Sequence, residues 1–190
     1  MKLLLSATRT LGIAIAIGSL TLAGCGDASN SESMDTSPDL SGNSSGSSLP
    51  DALFLAEPPE GAEPITALKE SAEQGEEVVV RAVVGGRVDP IVEGRASATI
   101  VDASLNNTCV SADDHCPTPW DYCCEPSEQL TANLATLQIV DEDGRIMAAD
   151  LSDRVEPLAT VVVRGKVGPR PNQQVLTINA TGIYVEPKVQ

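Results

Sequence analysis

From residue 77 onward the chain is a succession of short β-branched runs, 77–84, 96–102, 135–140, 145–150, 160–167 and 175–185, with turn chemistry between them. Branched Cβ atoms pack well on a pleated surface and lose rotamer freedom in a helix, so these runs predict strands. Several alternate clearly: in Thr136-Leu137-Gln138-Ile139 every second residue is apolar, and Asp143-Gly144 supplies the positive backbone angles of a tight hairpin. Helical spacing is confined to 65–74, where Pro64 opens the segment, Gly75 closes it and Ile65, Leu68 and Ala72 share one face; a further turn is expected around 152–158. The only aromatic residues are Phe54, Trp120, Tyr122 and Tyr184, so the core must be built from Val, Ile, Leu and Ala. The fold class that follows is all-β, a small, mostly antiparallel barrel that closes its own edges, preceded by one short helix.

The N-terminus carries an address. Lys2 and Arg9 precede an apolar run, 11–22, too short to span a bilayer as a permanent helix, and small residues follow. Leu22-Ala23-Gly24-Cys25 resembles the bacterial lipobox, in which the cysteine thiol accepts diacylglycerol before the signal peptide is cut away. The resemblance implies that residues 1–24 export the chain, that Cys25 is lipidated, and that the protein sits on a membrane outside the cytoplasm. In such lipoproteins Asp directly after the cysteine favours inner-membrane retention; Gly26 stands there, which favours the outer membrane. Residues 26–50 hold nine Ser and three Gly and almost nothing apolar. Such a segment cannot offset its chain entropy by burial, and as a coil its ends lie about 25–30 Å apart, a spacer between lipid and domain. The expected organisation is a signal peptide at 1–24, a lipidated Cys25 with a tether to residue 50, and one domain at 51–190.

Without the signal peptide, ten Lys and Arg stand against 27 Asp and Glu, a formal charge of −17. A nucleic-acid binder displaces counterions from phosphates with a basic footprint, so nucleic acid is excluded as an expected partner, and so is electrostatic docking on anionic lipid. Membrane attachment then falls to the lipid anchor.

The run order resembles an OB-fold across residues 65–187: Glu77-Val-Val-Val-Arg-Ala-Val-Val-Gly-Gly as a long first strand bent at its glycines, the Asp-Gly hairpin, Thr160-Val-Val-Val-Arg-Gly-Lys-Val, and Leu176-Thr-Ile-Asn-Ala-Thr-Gly-Ile-Tyr-Val as the closing strand. The resemblance implies a barrel and names no ligand. OB-folds often bind single strands on an aromatic and basic strand face. Here Arg81 stands alone among valines, and Arg164 and Lys166 read as solvated strand positions. The block Cys116-Pro-Thr-Pro-Trp-Asp-Tyr-Cys-Cys-Glu is more specific and resembles one carried by uncharacterised exported bacterial proteins, which implies no activity.

Four cysteines other than Cys25 cluster in the insertion at 103–132: Cys109, Cys116, Cys123 and Cys124. In an oxidising compartment the expected arrangement is two disulfides stapling a loop with no core of its own. Adjacent cysteines rarely meet disulfide geometry, so Cys109 and Cys116 should each take one of the Cys123/Cys124 pair. The alternative is a metal site in which these thiolates and His115 bind zinc or copper(I), against which stands the lack of two Cys-x2–4-Cys knuckles. A labile redox disulfide is a third reading, though no Cys-x-x-Cys precedes a helix. Trp120 and Tyr122, set in the same loop, are candidate partner-binding residues, because large aromatics bury much area at little entropic cost; the plainer reading is that Trp120 folds back to cover the disulfides or one open end of the barrel. Asp113-Asp114-His115 lacks a nucleophile, and Asp141-Glu142-Asp143-Gly144 lacks the later glutamate of a calcium loop. No catalytic residues and no cofactor are assigned. The function expected is a non-enzymatic, lipid-tethered envelope module binding a protein or a glycan, with metal or thiol-redox handling by the same loop as the alternative.

Overall fold

The structure, a computed structural model, describes residues 48–110 and 116–188. The export signal, Cys25, most of the tether and Asp113-Asp114-His115 lie outside the described residues. The valine-rich runs become β1 (Glu77–Val84), β2 (Ser97–Asp102), β3 (Leu134–Gln138), β4 (Thr160–Val167) and β5 (Thr177–Val185). They close into a barrel in the order β1-β2-β3-β5-β4, with β4 returning to β1. Every pairing is antiparallel except β3 with β5, which run parallel through Thr136–Gln138 and Thr177–Asn179. This is the all-β, OB-like barrel expected from the sequence.

Alternation decides which side chains fill it. Val78, Val80, Ala82 and Val84 of β1 point inward while Glu77 and Arg81 face solvent. Ile100, Leu137, Val161, Val163, Ile178 and Ile183 complete an aliphatic core, each side chain contributing about 1.5–3 kcal/mol for its removal from water. The ladder between β4 and β5 shifts register between Arg164 and Gly165. A Cβ on Gly165 would lie 2.5 Å from the Asn179 carbonyl oxygen, so only glycine lets the strands stay paired there.

The expected short helix, α1 (Ile65–Ser71), buries Ile65 and Leu68 against the core. The barrel holds it at both ends. The Asp102 carboxylate at the end of β2 accepts the Ile65 N–H at 2.6 Å. At the other end the Arg170 guanidinium donates to the carbonyls of Lys69 and Ala72 in the unpaired last turn, and to that of Leu68, which also accepts the Ala72 N–H. Lys69 is buried too, its ammonium donating to the Thr131 carbonyl at 2.6 Å. Burial, and then the nearby Arg170 charge, hold its pKa below the ordinary 10.5. The unfolded chain therefore binds this proton more tightly, and the stability contributed here rises as pH climbs toward 10.5. Comparing the native chain with Lys69→Met by urea unfolding between about pH 8 and 10.5 should show the native chain gaining on the variant. A pH-independent difference would contradict this.

Three sequence expectations need correction. Run 145–150 is no strand; only Val140 and Ile146 bridge, because the chain turns so that Ala149 and Leu151 can plug the core. A second helix, α2 (Ser127–Asn133), stands in the insertion where none was expected. Its sequence has no apolar stripe; it starts at Pro126, whose carbonyl accepts the Leu130 N–H at 3.0 Å, and it leans on α1 through Lys69. The turn expected around 152–158 is present, with the Val155 N–H on the Leu151 carbonyl and Leu158 at a φ of +67°. Leu49 belongs to the core, so the folded domain begins before residue 51. No helix among the described residues is long and apolar enough to cross a membrane.

Candidate functional site

The insertion between β2 and β3 lies on the outside of the barrel and is built onto it. Ile100 points inward, so its neighbour Val101 points outward, yet Val101 is fully buried. Val101, Cys109 and Tyr122 are buried apolar residues outside the main core cluster. The seat for the insertion is Gly85-Gly86, directly after β1. A Cβ on Gly85 would lie 2.5 Å from the Trp120 carbonyl oxygen and 3.1 Å from the Tyr122 ring, and one on Gly86 would strike Leu134 and Val101. The Gly86 N–H donates to that same Trp120 carbonyl at 2.7 Å, and the Trp120 indole N–H donates to the Val88 carbonyl at 2.8 Å.

This placement corrects the reading of the aromatic pair. Tyr122 is only 2% exposed and cannot serve as a surface anchor; it gives the loop the apolar anchor that the sequence suggested was missing. Its backbone adopts a φ of +59°, which swings the ring inward just before the adjacent cysteines. Trp120 stays half-buried, with its polar edge committed to Val88.

The four cysteines meet at one point. Their sulfur atoms all lie within 4.8 Å of one another. Cys123 is central, with its Sγ 3.5 Å from that of Cys116, 3.8 Å from that of Cys109 and 3.9 Å from that of Cys124. No disulfide joins them, and the crossed pairing expected from the spacing is not formed. A bonded pair would stand about 2.05 Å apart, whereas here the Cys123 sulfur sits between three others and is committed to none. Cys109 is buried, Cys116 half-buried, and Cys123 and Cys124 exposed.

Local turns bring these residues together. The Asn107 side-chain oxygen accepts the Cys109 N–H at 3.0 Å, and the Asp121 carboxylate accepts the Cys123 N–H at 2.8 Å. Each is a short polar side chain bonding the backbone two residues on, and the repeated Asn/Asp-x-Cys pattern is a signal that sequence reading overlooked. Three further bonds tie the arms across the cluster: the Asn107 amide to the Pro119 carbonyl at 2.8 Å, and Thr108, through both N–H and hydroxyl, to the Glu125 carboxylate. These bonds from Thr108 hold the Glu125 carboxyl below its usual range. The Cys123 thiol is pushed well above its usual range, first by the hydrogen bond it donates to Asp121 and then by its contacts with Cys116 and Cys109.

Elsewhere the polar groups satisfy one another. An open cleft of about 810 Å³ is lined by Arg81, Arg154, Leu158, Glu186 and Lys188, and each of these cations is held by an acid. Arg81 forms a two-pronged bond with Glu186 at 2.7 Å, Arg154 pairs with Asp51 and stacks on Phe54, and Lys188 pairs with Glu156. Arg164 reaches Glu77 at 4.0 Å from an exposed position. The Asp141 carboxylate accepts the N–H groups of Asp143 and Arg145 inside its own turn. No family model matches the chain, and no curated protein or solved structure shows significant similarity to it.

Proposed function

We propose that this chain is a non-enzymatic binding module of the bacterial cell envelope, held to a membrane by a lipid on Cys25 and engaging its ligand through the β2–β3 insertion. One observation carries the reading: the insertion is docked on Gly85, Gly86 and Val101 while Cys116, Cys123, Cys124 and one flank of Trp120 remain open to solvent. OB-like barrels commonly take ligands on the face of the second and third strands, flanked by the loops between the first and second and the fourth and fifth strands. In this chain the insertion occupies the outer side of β2, so a ligand approaching that face meets the insertion first. The acidic charge favours an envelope protein or glycan over nucleic acid, and Gly26 after the lipidated cysteine favours the outer membrane.

Two experiments test the halves of this reading. Cys25→Ser should abolish partitioning into a detergent phase, because acylation needs the thiol; a mature native chain whose mass lacks acyl groups would overturn the anchor. Crosslinking in native envelope should capture a partner with the native chain and lose it when residues 105–132 are replaced by a short Gly/Ser link. Capture by both would move the binding surface onto the barrel.

A further inference from the structure

We propose that Cys109, Cys116, Cys123 and Cys124 form a mononuclear, all-thiolate site for zinc(II), a metal site in the insertion beyond the partner surface proposed above. A zinc ion bonded to four sulfurs at about 2.3 Å sits in a tetrahedron whose edges are about 3.8 Å. The separations around Cys123 are 3.5, 3.8 and 3.9 Å, and no pair of sulfurs exceeds 4.8 Å. The cluster thus has the size of one tetrahedral ion. It is too wide for bonded sulfur pairs and too tight to enclose a multi-iron cluster, and tetrahedral sulfur coordination of a single ion is the preference of zinc.

Three further features suit a cation. The arms carrying the sulfurs are already tied together by Asn107, Thr108, Asp121 and Glu125, so the ligands are held near their places before an ion arrives. The Cys124 N–H donates to the Cys109 sulfur at 3.1 Å, a backbone bond of the kind that supports thiolate charge and orients a ligating sulfur. No Lys or Arg occurs anywhere between Arg95 and Arg145, so no side-chain cation of this stretch competes with a metal for the sulfurs. As the ion binds, the four thiols release four protons to solvent, and the completed centre carries a charge of −2. Four sulfurs fill the tetrahedron, so His115 is not a ligand.

The test uses the full chain carrying Cys25→Ser, so that the insertion cysteines are its only thiols, reduced and freed of metal. Zinc titrated against a chromophoric chelator should bind one ion per chain and protect all four thiols from alkylation. Cobalt(II) in its place should give the intense visible bands of tetrahedral thiolate coordination. Cys109→Ser and Cys123→Ser should each weaken zinc by about 100-fold or more, with circular dichroism showing the barrel still formed, whereas His115→Ala should leave affinity within about threefold. Failure of the reduced chain to bind zinc, a stoichiometry other than one, or a large loss with His115→Ala would overturn the site. So would two disulfides in the chain as isolated from the envelope, which would establish the cysteines as staples. Zinc binding without partner capture in envelope would leave this site standing and remove the broader reading, while capture by a disulfide-bonded insertion would do the reverse.

Discussion

Tyr122→Ala is expected to release the insertion from the barrel. The ring is among the largest fully buried side chains and lies over Gly85, outside the aliphatic core. Truncating a buried aromatic of this size costs about 3–5 kcal/mol, and here the loss falls on a unit that can open by itself. Hydrogen exchange should therefore quicken across the described parts of 103–133 while the inner positions of β1, β4 and β5 stay protected, and thiol alkylation should accelerate. Gly85→Ala should act on the same contact from below, since its new Cβ would sit 2.5 Å from the Trp120 carbonyl oxygen. The two changes remove one shared docking contact, so combined they should cost clearly less than their sum. Unchanged exchange in Tyr122→Ala would mean that the hydrogen bonds of Trp120 and Asn107 fix the loop without the ring.

Asp102→Ala should produce the other large effect. This buried carboxylate accepts the Ile65 N–H at 2.6 Å, the Ser104 N–H at 2.9 Å and the Ser104 hydroxyl, fastening the start of α1 and the first turn of the insertion to the end of β2. Hydrogen bonds to a charged group contribute about 1.5–3 kcal/mol each, and an orphaned buried donor costs about 1–3 kcal/mol. Allowing for solvation of the exposed part of Ser104, we expect a loss of about 3–4 kcal/mol by urea unfolding, and about half of that for Asp102→Asn, which keeps an acceptor oxygen. A loss below about 1 kcal/mol would show that the Ile65 N–H finds another partner.

Legibility in the sequence followed the range of the interaction. β1 and β4 could be read to the residue, because valine alternation is a local property and each run ends in glycine or a charged turn. Run 145–150 misled for the opposite reason: its apolar residues satisfy a core position and not a ladder. α2 was invisible because a seven-residue helix with a single leucine has no stripe to detect. Gly85-Gly86 was legible as a bend but not as a seat, since what a Cβ would strike there comes from residues 101, 120, 122 and 134. The cysteines were legible as a cluster. Their convergence on one point was not, because it depends on two Asx turns and on Tyr122 drawing the second arm inward, whereas the linear gaps argued for separate pairs.

Barrel closure also sets how such a chain must assemble. β1 finds β4 by matching Glu77 with Lys166, β3 finds β5 by matching Thr136 with Thr177, and even the neighbours β2 and β3 meet only across the insertion. The β4–β5 hairpin across 168–176 is the one pairing with a short connection; closure still waits on the distant ones, which place all-β domains of this kind in the millisecond-to-second range of folding. The two arms of the cysteine loop, by contrast, close a segment of about 15 residues, a step with far less entropy to overcome. In a chain delivered N-terminus first, the cysteines emerge while β4 and β5 are still to come. The fate of the four sulfurs is then settled by whichever reaches them in that interval, an oxidant or an ion.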